Sequence, residues 1–196
     1  MKKSELISQL FEWEKQNERK IIAIDGRCAS GKTTLALLLS ENVNCDVVHI
    51  DDLFLPFERR TKERMSKSGG NIDFERLISE VLTPIKNGEH YVYSKYNCQN
   101  GSFSAGQSVN PQIITVVEGS YSCHPCVFPF YDLHIFLDID GSTQKERVLR
   151  RNKDNADAFF SKWIPMEEKY FSEFNIKDKC EIVLTDWNKK YEKQIY

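Results

Sequence analysis

The strongest constraint on this 196-residue chain is a short apolar run that passes directly into a glycine-bounded loop. Ile21-Ile22-Ala23-Ile24-Asp25 leads into Gly26-Arg27-Cys28-Ala29-Ser30-Gly31-Lys32-Thr33, and Thr34-Leu35-Ala36-Leu37-Leu38-Leu39 follows. A buried-type strand, a G-x-x-x-x-G-K-T loop and an apolar helix in immediate succession leave few folds open. The glycines let the backbone curl until consecutive N–H groups point inward, which makes a cradle for a phosphate chain. Lys32 then reaches the β- and γ-phosphates, and the Thr33 hydroxyl is placed for Mg2+. The helix behind the loop turns its positive end toward the anion. Residues Gly26, Arg27, Cys28, Ala29, Ser30, Gly31, Lys32, Thr33 and Thr34 are therefore the expected binding loop for ATP. A glycine-rich turn carrying Lys-Thr by chance is the competing explanation, and the strand before and helix after it argue against that.

The rest of the chain fits around this unit as a single domain over 1–196. Leu6, Leu10 and Trp13 share a stripe with Ile7 and Phe11 alongside, which predicts an amphipathic helix over 4–19. Val47-Val48-His49-Ile50, Ile113-Ile114-Thr115-Val116-Val117, Leu133-His134-Ile135-Phe136-Leu137 and Glu181-Ile182-Val183-Leu184 read as further strands. Helical patterns lie between them, over 74–82 after a capping Asp73, over 142–152 and over 157–174. The polar stretch 56–72 reads as a mobile loop, about 89–110 as a hairpin turning at Asn100-Gly101, and about 141–160 as an arginine-bearing lid. Strands alternating with helices predict an α/β fold, a doubly wound five-stranded parallel sheet. In such sheets ligands bind beyond the carboxyl ends of the strands.

Composition narrows the function classes. A net charge of −2 offers no basic footprint for nucleic acid or an anionic membrane. No apolar run approaches the roughly 18 residues of a membrane span, and no signal core follows Met1-Lys2-Lys3, so cytoplasmic residence is expected. Of six cysteines only Cys123 and Cys126 form a C-x-x-C pair. Two prolines in Cys123–Phe130 oppose the following helix that a redox pair uses, so reduced, incidental thiols are expected. Oligomeric state is not legible here, and a homo-oligomer stays open.

Chemistry gathers at the expected ligand edge. Glu118 ends a strand where an acid can hold Mg2+ directly or through water, and Asp51-Asp52 end another. One of these aspartates can take a proton from an acceptor hydroxyl. Turn formation is the ordinary use of paired aspartates at a strand end, but these two fall beside a phosphate loop. Thr33, Glu118 and Asp52 are thus the candidate metal ligands. Arg147 and Arg150, three apart on one helix, could clamp phosphoryl oxygens.

In order, the loop, Asp51-Asp52-Leu53-Phe54, Gly69-Gly70-Asn71-Ile72-Asp73, Tyr93-x-x-Tyr96, Glu118-Gly119-Ser120-Tyr121 and Arg147-x-x-Arg150 resemble the uridine kinase family of P-loop kinases, over roughly residues 20–185. The resemblance implies a five-stranded parallel sheet with a hairpin and lid, and phosphoryl transfer from Mg–ATP to a nucleoside 5′-hydroxyl. It implies that Asp52 engages that hydroxyl, that Glu118 and Thr33 serve the metal, that Arg147 and Arg150 are lid arginines, and that Tyr96 lines the nucleoside pocket. Two departures stand out. Asn97 follows the pocket tyrosine where the family has Asp, and Cys98-Gln99-Asn100-Gly101-Ser102 lacks the base-contacting His of pyrimidine-specific members. Pantothenate-like and sugar-phosphate acceptors therefore stay open. A nucleotide-dependent regulatory ATPase is the alternative from another class, opposed by the lack of an N-K-x-D segment or an effector domain.

Overall fold

The apolar runs pair side by side in one all-parallel sheet. In the computed structural model, which describes residues 3–185 and 187, the strands are β1 (Lys20–Gly26), β2 (Cys45–His49), β7 (Ile114–Glu118), β8 (Leu133–Asp138) and β9 (Ile182–Thr185). Their order is β2-β7-β1-β8-β9, so the phosphate-loop strand is central. The intervening β3 (Tyr91–Tyr93), β4 (Tyr96–Asn97), β5 (Ser102–Phe103) and β6 (Gln107–Val109) form a separate excursion, with β3 antiparallel to β6 and β4 to β5.

Period-two alternation decides the layers. Ile22 and Ile24 of β1 pack on one face with Leu6 and Leu10 of helix α1 (Lys3–Gln16) and Leu35 and Leu39 of α2 (Lys32–Asn42). Ile21 and Ala23 pack on the other, against Leu77 and Val81 of one long helix and Tyr170 and Phe171 of another. A sheet buried on both faces explains why its strands read as continuous apolar runs.

Two helical segments depart from expectation in the same way. The helix expected over 74–82 continues to Asn87, and that expected over 157–174 starts at Ala156. Each contains a π-helical stretch, Leu77–Leu82 and Phe159–Trp163, just before Pro84 and Pro165. A proline ring clashes with the carbonyl one turn back, and widening that turn lets the helix continue past it.

The stretch 56–72, expected as a mobile loop, carries secondary structure of its own. It carries a 3-10 turn at Phe57–Arg59 and helix α3 (Lys62–Ser66), capped by the Thr61 hydroxyl at 3.1 Å from the Arg64 N–H. Arg64 donates to the carbonyls of Gly70 and Ile72 and to both oxygens of Glu75, and Ile72 bridges Phe54. Gly69 through Asp73 are consequently buried. Among the described residues no helix is long and apolar enough to cross a membrane.

Register sets the functional edge. His49 of β2 and Ile24 of β1 both lie opposite Glu118 of β7, and Gly26 lies opposite Leu137 of β8. The ends of three parallel strands thus arrive together at the loop.

Candidate active site

Gly26 begins the phosphate loop at φ +134°, and an added Cβ would stand 2.1 Å from the Leu137 carbonyl oxygen. Only glycine lets β1 turn so close to β8. Lys32 lies across the loop, its Nζ donating to the carbonyls of Gly26 at 2.8 Å and Arg27 at 3.1 Å. Behind the loop, Asp25 is fully buried. It accepts from the N–H of Gly26 (2.7 Å) and Cys123 (2.9 Å) and from the Tyr170 hydroxyl (2.8 Å). Burial raises its pKa above the ordinary carboxyl range, and these donors and Lys32 oppose the rise.

A second set of carboxylates braces the loop from the helix spanning 156–174. Glu167 is buried, accepts the Cys28 N–H at 2.8 Å and also receives the Ser120 hydroxyl. Glu168 takes the Arg27 guanidinium at 2.7 and 3.0 Å, and Asp138 takes its other arm at 2.9 Å. Neither glutamate was singled out by the sequence pattern. They sit in an ordinary-looking helical Glu-Glu pair 140 residues from the loop, and only the tertiary fold joins the two.

At the strand ends, the Thr33 hydroxyl donates to Glu118 Oε1 at 3.0 Å, and His49 Nδ1 lies 2.5 Å from the same oxygen. Gly119, at φ +139°, lets the chain leave this strand beside Ile50, whose Cβ would stand 2.9 Å from an added one. Glu118 lifts the His49 pKa through this hydrogen bond, against the effect of burial. Asp51 opens onto the cleft. The protein around it raises its pKa, Lys32 lowers it, and Glu118 and Asp52 raise it, so all four share one electrostatic field. The Thr33 hydroxyl and the Glu118 carboxylate are hard oxygens of the kind Mg2+ takes, but among the described residues no three His, Cys, Asp or Glu side chains converge to hold a metal ion. His49 is the member of this cluster that the sequence did not flag.

Asp52 is engaged from the hairpin side. Lys95 Nζ lies 2.8 Å from its Oδ2, and the Tyr93 hydroxyl donates to the same oxygen at 3.3 Å. Tyr96, the tyrosine expected in the pocket, lies in β4. Its hydroxyl accepts the Phe57 N–H at 3.0 Å, and its ring lies between Phe57 and Phe103. Tyr91 and Tyr93 turn inward together from β3, so the phenol at Asp52 is that of Tyr93.

The arginines also separate. The helix Gly141–Arg151 flanks the loop, where Gln144 donates to the Cys28 carbonyl and Arg147 to that of Ala29, both at 3.1 Å. Arg147 is buried and Arg150 exposed. A step of three residues turns a helix about 60° short of a full circle, enough to carry Arg150 from the loop face to the rim. The C-x-x-C pair diverges as well. Cys123 is buried with its sulfur 3.9 Å from that of Cys180, while Cys126 is exposed beside His124 Nδ1.

No family model matches the sequence. Solved structures do match its backbone. A possible uridine kinase from Bacillus stearothermophilus is 21% identical with a TM-score of 0.66, covering 85% of this chain and 89% of its own. A protein assigned provisionally as a fructose transport system kinase from Silicibacter sp. TM1040 is 19% identical with a TM-score of 0.61, covering 94% and 98%. The chain has the P-loop kinase fold. A third structure, a circularly permuted P-loop protein of Saccharomyces cerevisiae, is 13% identical with a TM-score of 0.58 over the same shares, 94% and 98%. At 13–21% identity these neighbours show the fold and leave the reaction and its acceptor to the site.

Proposed function

We propose that this chain is an ATP-dependent small-molecule kinase that transfers the γ-phosphoryl group of Mg–ATP to a hydroxyl oriented by Asp52. The observation that carries the reading is the 3.0 Å contact between the Thr33 hydroxyl and Glu118, one strand from Asp51-Asp52. It puts a metal-type oxygen pair between the phosphate loop and a candidate base.

The steps follow from this layout. Loop N–H groups and Lys32 hold the β- and γ-phosphates of ATP. Mg2+, held by Thr33 and Glu118 with an aspartate in reach, would neutralise charge on the phosphate oxygens. Asp52 orients the acceptor hydroxyl and takes its proton as the oxygen attacks the γ-phosphorus. The bond from that phosphorus to the β,γ-bridging oxygen breaks, and ADP departs with the electron pair. Lys32 and Arg147, both held on loop carbonyls, would supply positive charge to the transferring group, whereas Arg150 would have to swing in from the surface. The family resemblance nominates a nucleoside as acceptor, and Asn97 and Cys98 in place of the family's Asp and nearby His leave other small hydroxyl compounds in the field.

The test is ADP release from Mg–ATP across nucleosides, pantothenate, sugars and sugar phosphates. Acceptor-dependent turnover that falls by about two to four orders of magnitude in Asp52→Asn supports the kinase. Turnover that ignores every acceptor would favour the regulatory ATPase instead.

A further inference from the structure

Alternation along two neighbouring strands puts three polar groups on one face. Val47 of β2 and Val116 of β7 pack toward α2, so His49 and Glu118, two residues further on, face the same way. The strands are parallel and in register, with His49 directly opposite Glu118. Helix α2 begins over this face and brings Thr33 to it. Two groups then converge on a single oxygen. His49 Nδ1 lies 2.5 Å from Glu118 Oε1, and the Thr33 hydroxyl donates to that same oxygen at 3.0 Å. An ionised carboxylate only accepts, so the hydrogen of the imidazole contact is carried by His49 Nδ1.

The other oxygen, Oε2, has no partner among the described residues, although the Glu118 side chain is only 6% exposed. A carboxylate oxygen enclosed to this degree calls for a cation or a donor, and the two donors that the fold supplies both point at Oε1. Mg2+ beside a nucleotide takes one or two carboxylates and fills its shell with phosphate oxygens and water. The Thr33 hydroxyl and Glu118 Oε2 fit that need without a further acid. With so few protein oxygens, the placement of each one matters. The last torsion of a glutamate is broad and roughly two-fold, so its two oxygens can exchange places. The Thr33 hydroxyl hydrogen rotates and can follow either of them. The imidazole is a rigid ring on the adjacent strand and cannot.

We infer that His49 is a positioning residue, whose Nδ1–H fixes the Glu118 carboxylate so that Oε2 is the oxygen offered to Mg2+. The inference rests on the kinase reading and deepens its metal site. His49 acts only through Glu118, and no bond is made or broken on it.

The test compares His49→Leu with His49→Asn in the full chain. The two side chains have nearly the same shape, and only asparagine carries an N–H close to where Nδ1 stands. Each protein is saturated with ADP and titrated with Mg2+ by calorimetry. His49→Leu should bind Mg2+ about 10–100-fold more weakly than the parent, the scale on which losing a group that orients a metal ligand weakens a site. His49→Asn should recover most of that loss, and the affinity for ADP without metal should not distinguish the three proteins. An unchanged Mg2+ affinity in His49→Leu, or equal losses in the two variants, overturns the inference, while acceptor-dependent turnover by the parent keeps the kinase standing. If the parent's ADP complex takes Mg2+ no more tightly than ADP alone does, the Thr33–Glu118 pair holds no metal, and the inference falls together with that part of the kinase reading.

Discussion

In the proposed kinase, the donor and acceptor halves of the site are made of different materials. The donor half is backbone held by buried partners: Gly26 against Leu137, Cys28 on Glu167, and Arg27 between Glu168 and Asp138. The acceptor half is side chains, Tyr93 and Tyr96 on strands of two or three residues outside the main sheet and Lys95 on the link between them. Phosphate presents the same oxygens in every reaction, so a fixed array of N–H groups serves it. An acceptor varies, and side chains on a short hairpin can be exchanged without disturbing the sheet. Rigidity on one side and interchangeability on the other are what a family sharing a donor but not an acceptor requires.

The largest effects should separate the halves most cleanly. Lys32→Ala is expected to lower turnover by about 10²–10³-fold and to weaken nucleotide binding with it. Asp52→Asn is expected to cost a similar or greater factor in turnover while ATP affinity, measured by equilibrium titration, stays within about threefold of the parent. If Asp52→Asn weakened ATP and turnover in parallel, Asp52 would belong to the donor half and the division drawn above would fail.

Gly26→Ala comes next. With a Cβ 2.1 Å from a backbone oxygen and φ at +134°, the strand must move off β8 or the loop must open. A loss of about 2 kcal/mol or more in unfolding free energy is expected, read as a shifted denaturation midpoint. The glycine at the hairpin's Asn100-Gly101 turn has more room, where an added Cβ would meet nothing closer than 3.6 Å. Gly101→Ala should therefore suffer mainly from its positive φ of +68°, by about 1 kcal/mol.

This contrast also explains what could be seen in advance. The glycine-bounded loop, the five-stranded parallel sheet around it and the arrival of Glu118 at the edge that holds Thr33 were legible because each follows from local pattern and parallel topology. A buried parallel strand must be apolar, its end must face the ligand edge, and the loop spacing is nearly unique. Glu167 and Glu168 were illegible because nothing in an amphipathic helix distinguishes a carboxylate destined for a distant N–H from one facing water. The approach of Tyr93 to Asp52 was illegible for a related reason. The chain bends at Ser94-Lys95 between β3 and β4, and period-two alternation does not carry across a bend. The folded stretch 56–72 was read as a loop because its order comes from Arg64 reaching the Gly70 and Ile72 carbonyls, which composition does not reveal.

Glu167→Ala tests whether the bracing matters to the donor half. It leaves the buried Cys28 N–H and the Ser120 hydroxyl without their acceptor, at about 1–3 kcal/mol. Because the N–H belongs to the loop, part of that loss should appear as weaker ATP binding. Asp25→Asn supplies the pH-dependent counterpart. Burial raises the Asp25 pKa in the folded state, so its ionisation favours folding less than it does in the unfolded chain. The sign is fixed: its contribution to stability is fullest below the unfolded carboxyl pKa of 3.8 and declines as pH rises through the raised folded value. The parent should lose stability relative to Asp25→Asn across that interval in pH-dependent denaturation, even though the asparagine, with one acceptor oxygen in place of two, is the less stable protein at low pH.

The two tyrosines give the smallest and most discriminating pair. Tyr96→Phe removes the acceptor of the Phe57 N–H and should cost about 1 kcal/mol of stability, with kcat and acceptor KM little changed once the protein is folded. Tyr93→Phe removes a donor 3.3 Å from Asp52, a long hydrogen bond whose loss should barely move the denaturation midpoint. Its effect belongs in catalysis, where a weakly held Asp52 oxygen loses one orienting contact and acceptor-dependent kcat/KM falls about threefold to tenfold. The resemblance to uridine kinases predicts the reverse, with Tyr96 as the pocket residue. Kinetics sensitive to Tyr96 and indifferent to Tyr93 would mean that the hairpin rearranges around its substrate, and would move the acceptor site one strand further from the phosphate loop.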